Sequence, residues 1–147
     1  MASGQVVSLQ VKRGHWRPLE PIASVEATSR GLDGDKHAGR EGGKRQVLLT
    51  DEDDLRDLDL KPGDLREQVT LRLPGLMSLA AGTRLEIGGA VLELTGRCEP
   101  CTHIGEHLER SDREAFRDRL RGRRGMLARV AVPGRIEVGD PVRSVPA

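Results

Sequence analysis

The chain has 147 residues, a formal net charge of +1 and a sequence pI of about 7.9. That length suits one domain, 1–147, with an ordinary hydrophobic core. The near-neutral balance excludes a general polyanion trap, and no apolar run approaches the roughly 20 residues that span a bilayer.

Met1-Ala2-Ser3-Gly4 leads straight into a strand-like segment, with no basic n-region and no apolar h-region, so a cytoplasmic location is expected. Gln5 to Val11 alternates, with Val7, Leu9 and Val11 set against Ser8, Gln10 and Lys12, as a half-buried strand does. Pro18 and Pro21 interrupt the next segment, and Ile22 to Ala27 reads as a short strand. Arg30 to Lys44 mixes glycines, carboxylates and cations, a composition that predicts a loop. Arg45 to Thr50 reads as a buried strand. Thr50 or Asp51 then caps a short acidic helix, Glu52 to Leu58, with its acids at the favourable end.

Lys61 to Asp64 is a turn, and Glu67 to Leu73 a strand. Leu85-Glu86-Ile87 and Val91 to Leu94 flank Gly88-Gly89 in a hairpin pattern. Ser111 or Asp112 caps a helix from Arg113 to Arg121, with Ala115, Phe116 and Leu120 on one side. Met126 to Val132 is a strand, Pro133-Gly134 a turn and Arg135 to Val138 a strand, and Gly139-Asp140-Pro141 ends the domain. Many short strands with glycine turns and two helices indicate a mainly β, barrel-like or sandwich-like fold.

The two cysteines lie together in Cys98-Glu99-Pro100-Cys101, after a strand. In a cytoplasmic chain they are expected to stay reduced. Cys98, Cys101, His103 and His107 have metal-ligand chemistry, but crowd into one segment where structural zinc takes pairs from two. A thioredoxin-type pair would open a helix in a βαβ unit, which this pattern lacks. Two inert cysteines are the bland reading. A single functional thiolate, Cys101, helped by Arg97 and the histidines, is the sharper one.

In the Gly31–Lys44 loop, exposed N–H groups with Lys36, Arg40, Lys44 and Arg45 could hold an anion such as phosphate. The spacing is neither a Walker A loop nor a dinucleotide fingerprint. Arg121-Gly122-Arg123-Arg124-Gly125 is a small basic patch that complements a helix C-terminus. Nucleic-acid binding is the less favoured reading, because Trp16 and Phe116 are the only aromatics. His15 beside Trp16 reads as a local turn residue. Only four of the 24 basic residues are lysines (12, 36, 44 and 61), and arginine suits bidentate binding of phosphate and carboxylate.

Together these segments resemble the MOSC domain family (molybdenum cofactor sulfurase C-terminal domain). The resemblance rests on Arg30-Gly31-Leu32-Asp33-Gly34-Asp35-Lys36-His37-Ala38-Gly39, on Arg45-Gln46-Val47, on Arg66-Glu67-Gln68-Val69-Thr70, on Pro100-Cys101, and on the ending from Gly125 to Val142. It implies a β-barrel-like fold and a pterin cofactor, with Cys101 ligating molybdenum or carrying sulfur. It implies cofactor contacts from Lys36 and Arg45, with His37 and Gln68 near the metal. It implies reduction of N-hydroxylated compounds or sulfur transfer, with a small-molecule substrate and a cysteine desulfurase or reductase as partner. Gln68 stands where the family pattern usually has Asn, and Cys98 is an extra thiol. The alternative is a non-catalytic zinc- or nucleic-acid-binding module.

Overall fold

The computed structural model describes residues 2–14 and 17–146. The turn expected at His15 lies outside them. The strands are β1 (Ser3–Lys12), β2 (Leu19–Ile22), β3 (Ser24–Thr28), β4 (Gly31–Leu32), β5 (Val47–Asp51), β6 (Val69–Arg72), β7 (Arg84–Ile87), β8 (Ala90–Arg97), β9 (Met126–Val132), β10 (Gly134–Glu137) and β11 (Pro141–Val145). The helices are α1 (Glu52–Asp57), α2 (Thr102–His107) and α3 (Arg113–Arg119).

Seven strands close into a barrel in the order β1-β11-β7-β8-β9-β5-β6, and β6 returns to β1. Closure removes the free edges of a flat sheet. β2 extends this sheet beside β1, and β10-β3-β4 forms a small second sheet. All pairings are antiparallel except β5 with β6. A parallel pair needs a crossover. Here α1 and the Lys61–Asp64 turn provide it, with Lys61 N–H donating to Asp64 Oδ2 at 2.9 Å.

The barrel interior is aliphatic, built from residues such as Val6, Leu9, Val47, Leu71, Leu92 and Val130. Leu9 and Val11 of β1 are buried as expected, but so is Gln10, read as an outward residue, because its amide nitrogen donates to Glu67 O. A bulge between Val6 and Ser8 shifts the register, so Val6 and not Val7 joins the core. β11 is a correction: Gly139-Asp140-Pro141 does not end the domain but leads into the strand that closes the barrel. The Gly88-Gly89 hairpin forms as expected. A Cβ at Gly88 would meet Asp140 Oδ2 at 2.2 Å, and its φ of +56° suits glycine.

The barrel's outer wall carries a cross-strand charge ladder. Arg143 of β11 faces Glu86 of β7, Arg84 of β7 faces Glu93 of β8, and Glu93 faces Arg129 of β9. Many of the chain's arginines are thus bound to carboxylates, each exposed pair contributing about 0.2–1 kcal/mol.

A second, smaller core caps one end. Leu55 and Leu58 of the α1 region, Leu65, Ile104 of α2, and Phe116 and Leu120 of the α3 region pack together. Leu120 and Phe116 are buried as expected, but Ala115 is exposed. The helix at Thr102–His107 was not expected. This cap sets α2, and the thiol at its start, against the crossover that precedes β6.

The acids of α1 are not uniformly favourable. Asp54 is half-buried in its first turn. Burial, then the charge of Asp51, pushes its pKa up to about 6. The folded protein therefore holds this proton more tightly than the unfolded chain. The contribution is complete at low pH and is lost as pH rises from about 4 to about 6. Asp54→Asn is expected to raise the thermal midpoint near neutral pH and to lose its advantage over wild type below about pH 4, as thermal melts across pH will check.

Candidate functional site

A cavity of about 730 Å³ opens where the helical cap meets the barrel end. Lys12, Arg17, Arg66, Cys101, His107 and Arg124 line it. Lys12 ends β1, Arg66 lies just before β6, and Cys101 directly precedes α2. Arg124 sits one residue before Gly125 and the start of β9. Gly125 has φ +114°, and a Cβ there would lie 2.7 Å from Leu49 O. Only glycine lets this segment cross β5 so closely. The Gly125 carbonyl also accepts from Cys98 N–H at 2.9 Å, anchoring the cysteine segment to the same point.

Both thiols are free; Cys98 is half-buried and Cys101 exposed. Among the described residues no cluster of three or more His, Cys, Asp or Glu is placed to hold a metal ion. Cys98, Cys101, His103 and His107 therefore do not converge as zinc ligands. An ion of that kind needs about four converging donors, and one extended stretch followed by a short helix spreads these apart.

The electrostatics of the cavity are one-sided. Burial, then the charges of Arg66 and Lys36, lowers the Lys12 pKa. Burial, then Arg124, lowers that of Arg66. His107 is bonded to Arg66, and burial, then Arg66 and Lys12, hold it below its ordinary value, so it is neutral at pH 7. Glu106, the one carboxylate in the lining, is engaged by Arg113 at 3.4 Å. Arg124 is 9% exposed; its Nη1 donates to Leu65 O at 2.8 Å. Its buried Nε has no partner among the described residues. An unmet buried donor costs about 1–3 kcal/mol, more when charged. An anion in the cavity would relieve the repulsion.

Two polar networks hold these cations in place. Asp35, 6% exposed, accepts from Lys12 N–H at 2.8 Å and His37 N–H at 2.9 Å. Burial alone would raise its pKa, but bonds from the His37 ring and these two N–H groups outweigh it and keep the pKa low. Gln68 Oε1 accepts from Leu48 N–H at 2.7 Å, which turns its amide nitrogen toward His37 Nδ1 (3.0 Å) and Asp35 Oδ2 (3.4 Å). Fully buried Glu67 accepts from the Thr50 and Thr70 hydroxyls at 2.7 and 2.9 Å and from Leu65 N–H at 3.2 Å. Burial raises its pKa, these hydroxyl bonds opposing.

Of the cofactor-site residues expected from the sequence, Cys101 alone lines this cavity, alongside its neighbours His103 and His107. Lys36 lies against Lys12, donating its N–H to Lys12 O at 2.6 Å. Gln68 sits in the wall. His37 and Arg45 line a separate cavity of about 320 Å³. Arg97 lines neither, and donates to Met77 O at 2.6 Å. Lys12, Arg66 and Arg124, which line the cavity, were not among the residues expected there. The signal available for Arg66 was its place beside Glu67-Gln68.

The MOSC domain model matches residues 33–143, and the chain belongs to that family. The fold is similar to that of the YuaD protein from Bacillus subtilis, with a TM-score of 0.86 and 20% identity over 100% of both chains. It is also similar to YiiM from Escherichia coli (TM-score 0.70, 19% identity, 100% of this chain and 71% of that one). YiiM from Geobacillus stearothermophilus gives 0.75 and 19%, over 97% of this chain and 75% of that one. Among curated proteins, none matches the chain significantly.

Arg66 has φ +64°, which costs a non-glycine residue about 1 kcal/mol or more. Arg66→Gly is expected to raise the thermal midpoint in anion-poor buffer, by relieving this strain and removing a like charge. It should also reduce the stabilisation that phosphate gives wild type, by the share bound beside Cys101. A lower midpoint in anion-poor buffer would mark Arg66 as a structural residue.

Proposed function

We propose that the chain acts as a single MOSC domain that binds the molybdenum cofactor, with the Cys101 thiolate as the protein's ligand to molybdenum. The observation that carries this reading is the exposed thiol lining one cavity with Lys12, Arg66 and Arg124, whose side chains form no ion pair with a carboxylate among the described residues, Asp35 only partly offsetting the charge at Lys12. The residues fit the group: a pterin phosphate supplies the counter-charge that Lys12, Arg66 and Arg124 share, and a thiolate suits a soft metal centre. At about 730 Å³ the cavity is of cofactor size.

When bound, the cofactor supplies two-electron chemistry, and reduction of N-hydroxylated small molecules with an external reductase partner is the activity proposed. The chain's own residues bind and orient. Lys12, Arg66 and Arg124 clamp the phosphate, Asp35 fixes the Lys12 backbone, and Glu67 fixes the segment carrying Arg66. His107, neutral at pH 7, accepts from Arg66 through its Nε2 and so orients that guanidinium. Both thiols are free, which suits a cytoplasmic setting.

The exposure of Cys101 favours a second reading, a persulfide carrier loaded by a cysteine desulfurase. Elemental analysis of protein from a molybdenum-replete host is expected to find near-stoichiometric molybdenum in wild type and none in Cys101→Ser. Absence of molybdenum from wild type, with a gain of one sulfur atom on Cys101 after desulfurase treatment, would replace the first reading with the second.

A further inference from the structure

The smaller cavity has a chemistry of its own. It shares no lining residue with the cavity beside Cys101. Arg40, Lys44, Arg45 and His37 line it with Gly39, Gly43 and Gln46, and no carboxylate is among them. Elsewhere on the surface arginines are commonly tied to acids, as Arg13 is to Glu20, Arg110 to Asp112 and Arg143 to Glu86. Among the described residues, the side chains of Arg40, Lys44 and Arg45 have neither an ion pair nor a hydrogen bond. The nearby Glu41 is engaged by Ser29 Oγ at 3.0 Å and stays out of the lining.

The walls are built. Gln46 is 2% exposed, and its amide nitrogen donates to Ser29 O at 2.9 Å and Arg40 O at 3.1 Å, while its oxygen accepts from Val130 N–H at 2.9 Å. That one side chain pins the loop to β9 at the carbonyl of Arg40. Gly39 N–H donates to Arg30 O at 2.9 Å, and Thr95 Oγ1 donates to Lys44 O at 2.5 Å, so both ends of the cationic stretch are fastened. Three neighbouring like charges on a fastened backbone repel one another. The arrangement is favourable once an anion sits among them.

We propose that this cavity is a second oxyanion site, taking a phosphate monoester or inorganic phosphate, separate from the thiol-bearing cavity. Its volume, about 320 Å³, is at the low end for small-molecule sites and suits a small anionic group. Two guanidinium groups and an ammonium give the charge-assisted, bidentate contacts that phosphate accepts. The proposal does not depend on what binds beside Cys101.

Equilibrium dialysis of the full chain against radiolabelled inorganic phosphate, with chloride holding ionic strength constant, tests it. Wild type is expected to bind one phosphate in each cavity. Arg40→Ser/Arg45→Ser should lose one of the two, with at least roughly tenfold weaker binding there and an unchanged thermal midpoint, because both positions are exposed. Arg66→Ser should lose the other and keep the loop site. If the double variant keeps both phosphates, or if chloride at equal ionic strength displaces the loop phosphate, the second site does not exist. Retention of both phosphates by Arg66→Ser would instead count against the cofactor reading and leave this one standing.

Discussion

The buried carboxyl of Glu67 is the constraint on which the site depends. It sits where β5 and β6 run parallel, and takes the hydroxyls of Thr50 and Thr70 and the N–H of Leu65 on its two oxygens. Its carbonyl takes Gln10 Nε2 of β1 at 3.0 Å. One residue thus joins three barrel strands to the crossover. Each of these partners left unmet would cost about 1–3 kcal/mol, enough to hold the neighbouring backbone in a conformation it would otherwise avoid. The strained Arg66 on one side and the wall residue Gln68 on the other are set by it. Through Gln68 the constraint reaches Asp35, and through Asp35 the backbone of Lys12.

Charge is distributed unevenly around this frame. The net charge of +1 conceals a division of labour among the cations. On the barrel wall they face acids across the strands and contribute modestly to stability. At the larger cavity they act on each other, and burial there with this repulsion depresses the pKa values of Lys12 and Arg66. Repulsion of this kind weakens the empty fold and strengthens binding of an anion by the same amount. The aliphatic barrel and the small Phe116 core carry the cost.

Much of the fold was legible in the sequence because its signals are local. The Gly88-Gly89 hairpin and the Met126–Val132 strand arise from spacing or turn chemistry within a few residues; the acidic helix after Asp51 forms where expected but without a side-chain cap, since Thr50 donates to Glu67 and Asp51 accepts from Leu73 N–H. The misses are non-local. The Val7 bulge depends on the register with β6, and β11, opened by Pro141 with Arg143 and Ser144 in its middle, stands out only by pairing with β1 and β7. α2 begins at a cysteine, without a side-chain cap, and its one buried large side chain, Ile104, packs on distant helices. Of the cofactor-site residues singled out in the sequence, Cys101 is the one the fold sets in the larger cavity. Lys12 read as an outward residue of an alternating strand, and Arg124 as one more charge after a helix; only the closed barrel brings them to Arg66. Arg97, adjacent in sequence to the cysteines, is drawn off by a carbonyl of the turn at Met77.

The central claim is that Cys101 ligates molybdenum in a cavity that binds the cofactor's anion through Lys12, Arg66 and Arg124. Molybdenum K-edge X-ray absorption on cofactor-loaded protein tests it most directly, with wild type compared to Cys101→Ser loaded under the same conditions. The account predicts a sulfur scatterer in wild type, beyond those of the pterin, that oxygen replaces in the variant. Indistinguishable sulfur shells in the two proteins would contradict it.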